Sequence, residues 1–212
     1  MPRLNVMFVG DSVTLGTLGT TSYGGFRGQL LNLRSYGGMM YRTCGTTLTG
    51  MTSGENRMCG ASGQTVGDLV TYVTADGGQY SWDVAIVHAG TNDCTQRNSG
   101  GTPTLATSQA NLTLLLDKLR TQNPAGRVFF AKIIPNTTGA VDTLITAQNS
   151  AFATQIAARS DASFITIVDH NAAFKANANW ATEWMGDATH PNDQGYKVMA
   201  ATWSTALAAA GY

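Results

Sequence analysis

The stretch LNVMFVGDSVTLG, Leu4 to Gly16, decides how the rest of the chain reads. Its apolar run, Leu4 to Val9, has the length and character of a buried strand. That run ends abruptly in a glycine, an acid and a serine. Two explanations fit those three residues. They form a plain strand-to-loop turn, or Ser12 is held at the end of the strand to attack a substrate.

Working outward, the same alternation repeats. After the strand Leu4–Gly10, a helix is expected at Phe26–Gly37, with Phe26, Leu30, Leu31 and Leu33 toward one side. A second strand is expected at Gly38–Cys44. Thr65–Val73 has helical spacing at Val66, Leu69, Val70 and Val73, with Thr65 as its cap. Trp82–Gly90 reads as the third strand. A long helix follows at Thr104–Gln122, with a core stripe of Leu112, Leu115, Leu116 and Leu119, and Asn123-Pro124 stops it. Arg127–Pro135 is the fourth strand, Val141–Arg159 a helix, Ser163–Asp169 the fifth strand and Asn192–Ala210 the last helix. Continuous apolar strands separated by helices predict a parallel sheet covered on both faces, in one α/β domain spanning residues 1–212. Ligands of such sheets sit beyond the carboxyl ends of the strands. Function is therefore expected just after Val9, Val87, Ile134 and Val168.

Bulk composition excludes several classes of partner. The 212 residues carry 13 basic and 13 acidic side chains, a formal net charge of zero. Nucleic acid and anionic membranes call for an electropositive surface, so neither is expected as a partner. No run of about 20 apolar residues is present to span a bilayer. Charged residues make up 12% of the chain, about half the usual share, and a low charge content of this kind is common in proteins that work outside cells. Export is the expectation, although Met1-Pro2-Arg3 runs into the first strand without a basic-then-apolar leader.

Of the cysteines, Cys44 and Cys59 bracket a Gly/Thr/Ser-rich stretch, and Cys94 stands apart. A Cys44–Cys59 bridge would close a loop of about 15 residues and add roughly 3 kcal/mol. Spacing leaves bridge and free thiols equally open. Asn111-Leu112-Thr113 and Asn136-Thr137-Thr138 fit the glycan acceptor pattern, the first on an expected helix.

At the expected strand ends stand Gly10-Asp11-Ser12-Val13-Thr14 and Gly90-Thr91-Asn92-Asp93. Between them lies Ala61-Ser62-Gly63-Gln64-Thr65, and before the last helix Asp187-Ala188-Thr189-His190-Pro191. This set suits acyl transfer. A serine hydroxyl is a poor nucleophile until a base takes its proton, and histidine is matched to that task near neutral pH. Asp187, three positions before His190, can hold the Nδ1 proton and leave Nε2 free to face Ser12. Pro191 biases His190 toward extended backbone, so the pair is expected on a loop. The oxyanion of a tetrahedral intermediate needs fixed donors: the backbone N–H of Ser12 and of Gly63 and the Asn92 carboxamide are the candidates.

Several of these residues also fit a purely structural role. Ser12 alone would read as a turn serine, Asp11 as a turn brace and Asp93 as a brace for its loop. His88, on the third strand, reads as an interior histidine. His170 is the rival base and Asp169 the rival orienting acid. Trp180 and Trp184 flank the approach to Asp187 and suit either packing or a sugar ring. There is no His-x-x-x-His or Cys-x-x-Cys spacing for a metal, no G-x-G-x-x-G for a dinucleotide and no G-x-S-x-G elbow.

GDSVT, the glycine of ASGQT, GTND and DATH resemble the four blocks of the SGNH (GDSL-type) hydrolase family, in order, from Gly10 to His190. The resemblance implies a flavodoxin-like, three-layer α/β/α fold on a five-stranded parallel sheet. It implies Ser12 as nucleophile, His190 as base with Asp187 as its partner, and Ser12, Gly63 and Asn92 as the oxyanion hole. Closer still, GDSVTLG, SYGGFRGQL, GTND and HPNDQGYKVMA resemble carbohydrate esterase family three, whose members are similar to acetylxylan esterases. Val-Thr follows the serine here where family members often carry leucine. The Thr46–Met58 insert, which matches no named pattern, is expected at the substrate rim. The expectation is a secreted, monomeric serine esterase acting without a cofactor on an acetylated polysaccharide or small acyl ester. The alternatives are a lipase- or thioesterase-like hydrolase of longer acyl chains, or a carbohydrate-binding surface protein that keeps the scaffold without turnover.

Overall fold

The computed structural model describes residues 3–20, 24–35, 40–45, 47–48, 57–76 and 81–212. Strand β1 (Arg3–Gly10) runs into a one-turn helix, α1 (Ser12–Leu15), followed by α2 (Phe26–Ser35) and β2 (Met40–Cys44). Strands β3 (Thr47–Leu48) and β4 (Arg57–Met58) pair antiparallel as a short hairpin. Then come α3 (Val66–Asp76), β5 (Val84–His88), α4 (Thr91–Asn98), α5 (Leu105–Gln122), β6 (Arg127–Lys132) and α6 (Gly139–Ala157). A 3-10 turn leads into β7 (Ile165–Asp169), and α7 (His170–Lys175), α8 (Trp180–Glu183) and α9 (Asp193–Ala209) complete the described elements.

The main sheet is parallel throughout, in the order β2-β1-β5-β6-β7. The chain steps from β1 to one side, then crosses back to continue on the other. This reversal opens a crevice between the carboxyl ends of β1 and β5, the place where open α/β sheets bind ligands.

Strand alternation sends successive side chains to opposite faces, and each face builds its own apolar cluster. Met7, Val9, Ala85 and Val87 meet Leu69 of α3, Leu112 and Leu116 of α5 and Phe152 of α6. Val6, Phe8 and Ile86 meet Phe26 and Leu30 of α2 and Tyr196 and Trp203 of α9. The expected α5 stripe of four leucines is wholly buried, and each such side chain contributes about 1.5–3 kcal/mol. Helix α3 opens on a reciprocal cap: Thr65 Oγ1 accepts from the Asp68 amide at 3.3 Å, while Asp68 Oδ2 accepts from the Thr65 amide at 2.8 Å.

Helices α1, α4, α7 and α8 and the β3–β4 hairpin go beyond the sequence reading. They have between two and eight residues, too few for an apolar period to emerge. The predicted extension of α2 to Gly37, the start of β2 at Gly38, and residues 46 and 49–56 of the rim insert lie outside the described residues.

Of the two states left open for Cys44 and Cys59, Cys59 takes the unbridged one. Cys59 is a free, buried thiol, packed in the cluster that holds Met7, Val9, Val66 and Leu69. Residue 44 lies opposite Met7, while Cys59 bridges to Val9. Two positions along a strand are about 6.6 Å, at the upper limit of the Cα separation a disulfide spans. Cys94 is likewise free and buried.

Candidate active site

At the carboxyl end of β1 the backbone turns sharply under close neighbours. A Cβ on Gly10 would stand 2.1 Å from Thr14 Oγ1 and 2.5 Å from the His88 carbonyl oxygen, so only glycine fits. Asp11 then caps α1, its Oδ1 accepting the Val13 amide at 3.0 Å. Ser12 follows as the first helical residue, at the β1–β5 crevice.

The opposing group comes from the turn before α9. Asp187 Oδ1 accepts the amides of Thr189 at 2.7 Å and His190 at 2.6 Å. The Gly186 amide donates to the His190 carbonyl at 2.8 Å, and Met185 and Pro191 form an antiparallel bridge across the turn. This frame holds Asp187 Oδ2 at 2.8 Å from His190 Nδ1 and His190 Nε2 at 2.9 Å from Ser12 Oγ. Burial acts to raise the Asp187 pKa, but the His190 ring and the two turn amides outweigh it and hold the carboxyl below the usual range.

Asn92, the second residue of α4, reaches the same crevice. Its Nδ2 donates to the Gln64 carbonyl at 3.0 Å and to Asp11 Oδ2 at 3.2 Å. Gly63, beside Gln64, has φ +81°, and a Cβ there would meet nothing within 4 Å. Its glycine is thus needed for the left-handed backbone, and the space beside it is open. Ser12, Gly63, Asn92, Asp187 and His190 therefore converge on one edge of the sheet.

Residues 8–198 match the sequence profile of the GDSL-like Lipase/Acylhydrolase family. The chain belongs to that family. No curated protein matches it. Among solved structures it is similar to the family 3 carbohydrate esterase of Clostridium thermocellum, with 23% identity, 96% of this chain and 94% of that chain covered, and a TM-score of 0.80. A carbohydrate esterase family 3 protein from Talaromyces cellulolyticus shares 22% identity over 97% of this chain and 96% of its own, at a TM-score of 0.77. Axe2, an acetylxylan esterase from Geobacillus stearothermophilus, shares 17% over 96% and 94%, at 0.73. These likenesses concern the fold: α/β layers on a parallel sheet.

In this GDSL-like lipase/acylhydrolase the crevice is braced by Asp93 and by polar residues of the neighbouring helices that the sequence does not single out. Asp93, expected as a loop brace, accepts the Val66 amide at 2.9 Å and the Ser108 hydroxyl at 2.7 Å, and burial raises its pKa. Arg97 donates to Ser108 Oγ and Gln148 Oε1, both at 3.1 Å, and Gln148 Nε2 returns to the Gly90 carbonyl at 2.8 Å. Ser108 and Gln148 are buried polar residues on otherwise apolar helix faces, a signal visible in the periodicity. After β6, the Thr137 amide donates to the Ala188 carbonyl at 3.0 Å and Asn136 Nδ2 to Thr189 Oγ1 at 3.1 Å, fastening the histidine turn. Asn136 is 4% exposed, which removes it as a glycan acceptor. Asn111 packs against α3, where a Cβ on Gly67 would lie 2.6 Å from its Nδ2.

The rival groups lie elsewhere. His170 is buried, 4.3 Å from the Trp203 ring, with neither nitrogen hydrogen-bonded. His88 is buried; its Nε2 accepts the Ile134 amide at 3.4 Å, while Nδ1 has no partner. Asp169 pairs with Lys132 at 2.7 Å and caps α7 through the Ala172 amide. Trp180 and Trp184 are half-buried against the α9-side cluster, Trp184 edge-on to Phe174 at 5.5 Å. Among the described residues no group of His, Cys, Asp or Glu is arranged to hold a metal, and no helix is long and apolar enough to cross a membrane.

Proposed function

We propose that this GDSL-like lipase/acylhydrolase is a serine esterase that removes acetyl groups from polysaccharide, with acetylated xylan as its polymer. The observation that carries this reading is the continuous hydrogen-bonded line from Ser12 Oγ through the His190 ring to Asp187. Asp187 holds the Nδ1 proton, so Nε2 is the free base. As Ser12 Oγ attacks the ester carbonyl, Nε2 takes the hydroxyl proton. The carbonyl oxygen becomes an oxyanion, met by the N–H groups of Ser12 and Gly63 and by the Asn92 carboxamide; each such donor is worth about 3–4 kcal/mol of barrier. Collapse breaks the bond to the sugar oxygen, which leaves as an alcohol with the proton from Nε2. Water then attacks the acetyl-enzyme with His190 again as base, releasing acetate and restoring Ser12.

Acetylated polysaccharide is favoured because the similar folds include family 3 carbohydrate esterases and an acetylxylan esterase. The reading extends to a secreted monomer whose residues 1–212 act as one domain without a cofactor, and whose Trp180 and Trp184 offer a sugar a flat apolar face. Ser12→Ala is expected to abolish hydrolysis of 4-nitrophenyl acetate with an unchanged circular dichroism spectrum; full retention of activity ends the assignment. Acetate release across acetylated xylan, mannan, pectin and chitin tests the polymer. Faster turnover of octanoate than acetate esters would replace it with a long-chain lipase.

A further inference from the structure

We infer that Asp11 is a positioning residue that sets the carboxamide of Asn92 for the oxyanion, acting through the hydrogen bond from Asn92 Nδ2 to Asp11 Oδ2. The inference rests on the esterase reading above. A cap on α1 does not require a carboxylate, because serine, threonine or asparagine would accept the Val13 amide as well. Yet Asp11 is fully buried, where an ionised group is costly to hold. Burial pushes its carboxyl up to about 7, against the Val13 amide and the nearby His190, which pull it down.

The second oxygen gives the carboxylate its use. The two Asn92 Nδ2 hydrogens have two acceptors, the Gln64 carbonyl at 3.0 Å and Asp11 Oδ2 at 3.2 Å. These belong to different segments, the loop before α3 and the β1–α1 junction. A single acceptor would leave the amide free to turn about its last torsion, and two fix its plane. They also fix its polarity, because both call for the nitrogen end rather than the oxygen end. The donor edge is thus held beside the residue that precedes Ser12.

Asp11→Ser separates the two roles of the side chain. Its hydroxyl still caps α1 but is too short to reach Asn92. With 4-nitrophenyl acetate we expect kcat to fall about a hundredfold, as for a misplaced catalytic group, with KM unchanged. Asn92→Ala alone is expected to lower kcat by about 10²–10³. In the Asn92→Ala background Asp11→Ser should cost nothing further, because the group it positions is gone. Asp11→Asn, of the same volume, gives an independent cycle: its introduced amide sets a donor against a donor. Losses that multiply in the double variants, or a loss carried by KM, overturn the inference and leave the esterase reading standing. Full activity of Asn92→Ala sinks the oxyanion assignment of Asn92 and this inference together.

Discussion

His190 meets Ser12 across 178 positions of chain, and what each side chain does there depends on its hydrogen bonds. In Asp187→Asn the amide oxygen still accepts the Thr189 and His190 amides, so the turn survives. Its nitrogen donates to Nδ1, which forces the ring proton onto Nε2, facing Ser12. We expect kcat to drop roughly 10⁴-fold with folding intact, as loss of the orienting carboxylate does in other serine hydrolases. A smaller-than-tenfold loss in steady-state assays would remove Asp187 from this role. His88 supplies a pH test. Burial lowers its pKa from 6.5 to about 3, so the unfolded chain binds the proton first. The stability that comes from keeping His88 neutral is complete above about 6.5 and is lost as pH falls toward about 3, by up to about 1.4 kcal/mol per pH unit. Asp11, raised to about 7, acts in the opposite direction, but it is common to parent and variant. The stability gap between parent and His88→Gln, from urea unfolding, should therefore shift steadily against the parent below pH 6.5. A gap independent of pH would refute it.

Elements differ in how far local sequence specifies them. Helix α5 was legible because four leucines at helical spacing and a following Asn-Pro are local facts. Helix α4 was not: it reads TNDCTQRN and has no apolar period, so its helicity comes from tertiary anchors. Those anchors include Asp93 to Val66 and Ser108, and Arg97 to Ser108 and Gln148. Ser108→Ala leaves Asp93 Oδ1 without its hydroxyl donor in a buried position. We expect a stability loss of about 1–3 kcal/mol by chemical denaturation, accompanied by lower esterase activity because Asn92 rides on the same helix. Unchanged stability would show that the network does not hold α4.

For the molecule as a whole, the two apolar clusters seal the interior on both faces of the sheet. Burial raises the thiol pKa values of Cys59 and Cys94, the latter to about 12. Neither should react with a thiol reagent in the folded protein, and all three cysteines should react once it is unfolded without reductant. Reaction of a single thiol on unfolding would reinstate the Cys44–Cys59 bridge. Sheet order belongs to this scale too. Apolar strands alternating with helices imply a parallel sheet, but that β2 and β5 flank β1 follows from how the helices cover the two faces. That order is what brings the ends of β1 and β5 together.

The sequence by itself determined the α/β class, the strand ends at which chemistry gathers and the residue types there, because hydrophobic period and strand-end motifs are local. The tertiary structure alone decided which buried acceptor each donor found. Asn136 became a fastener of the histidine turn rather than a glycan site, Cys59 a core side chain rather than half of a bridge, and Asp11 a partner of Asn92 as well as a cap. These outcomes depend on register and packing between segments far apart in the chain, and buried polar groups must take whatever partner that packing brings within reach.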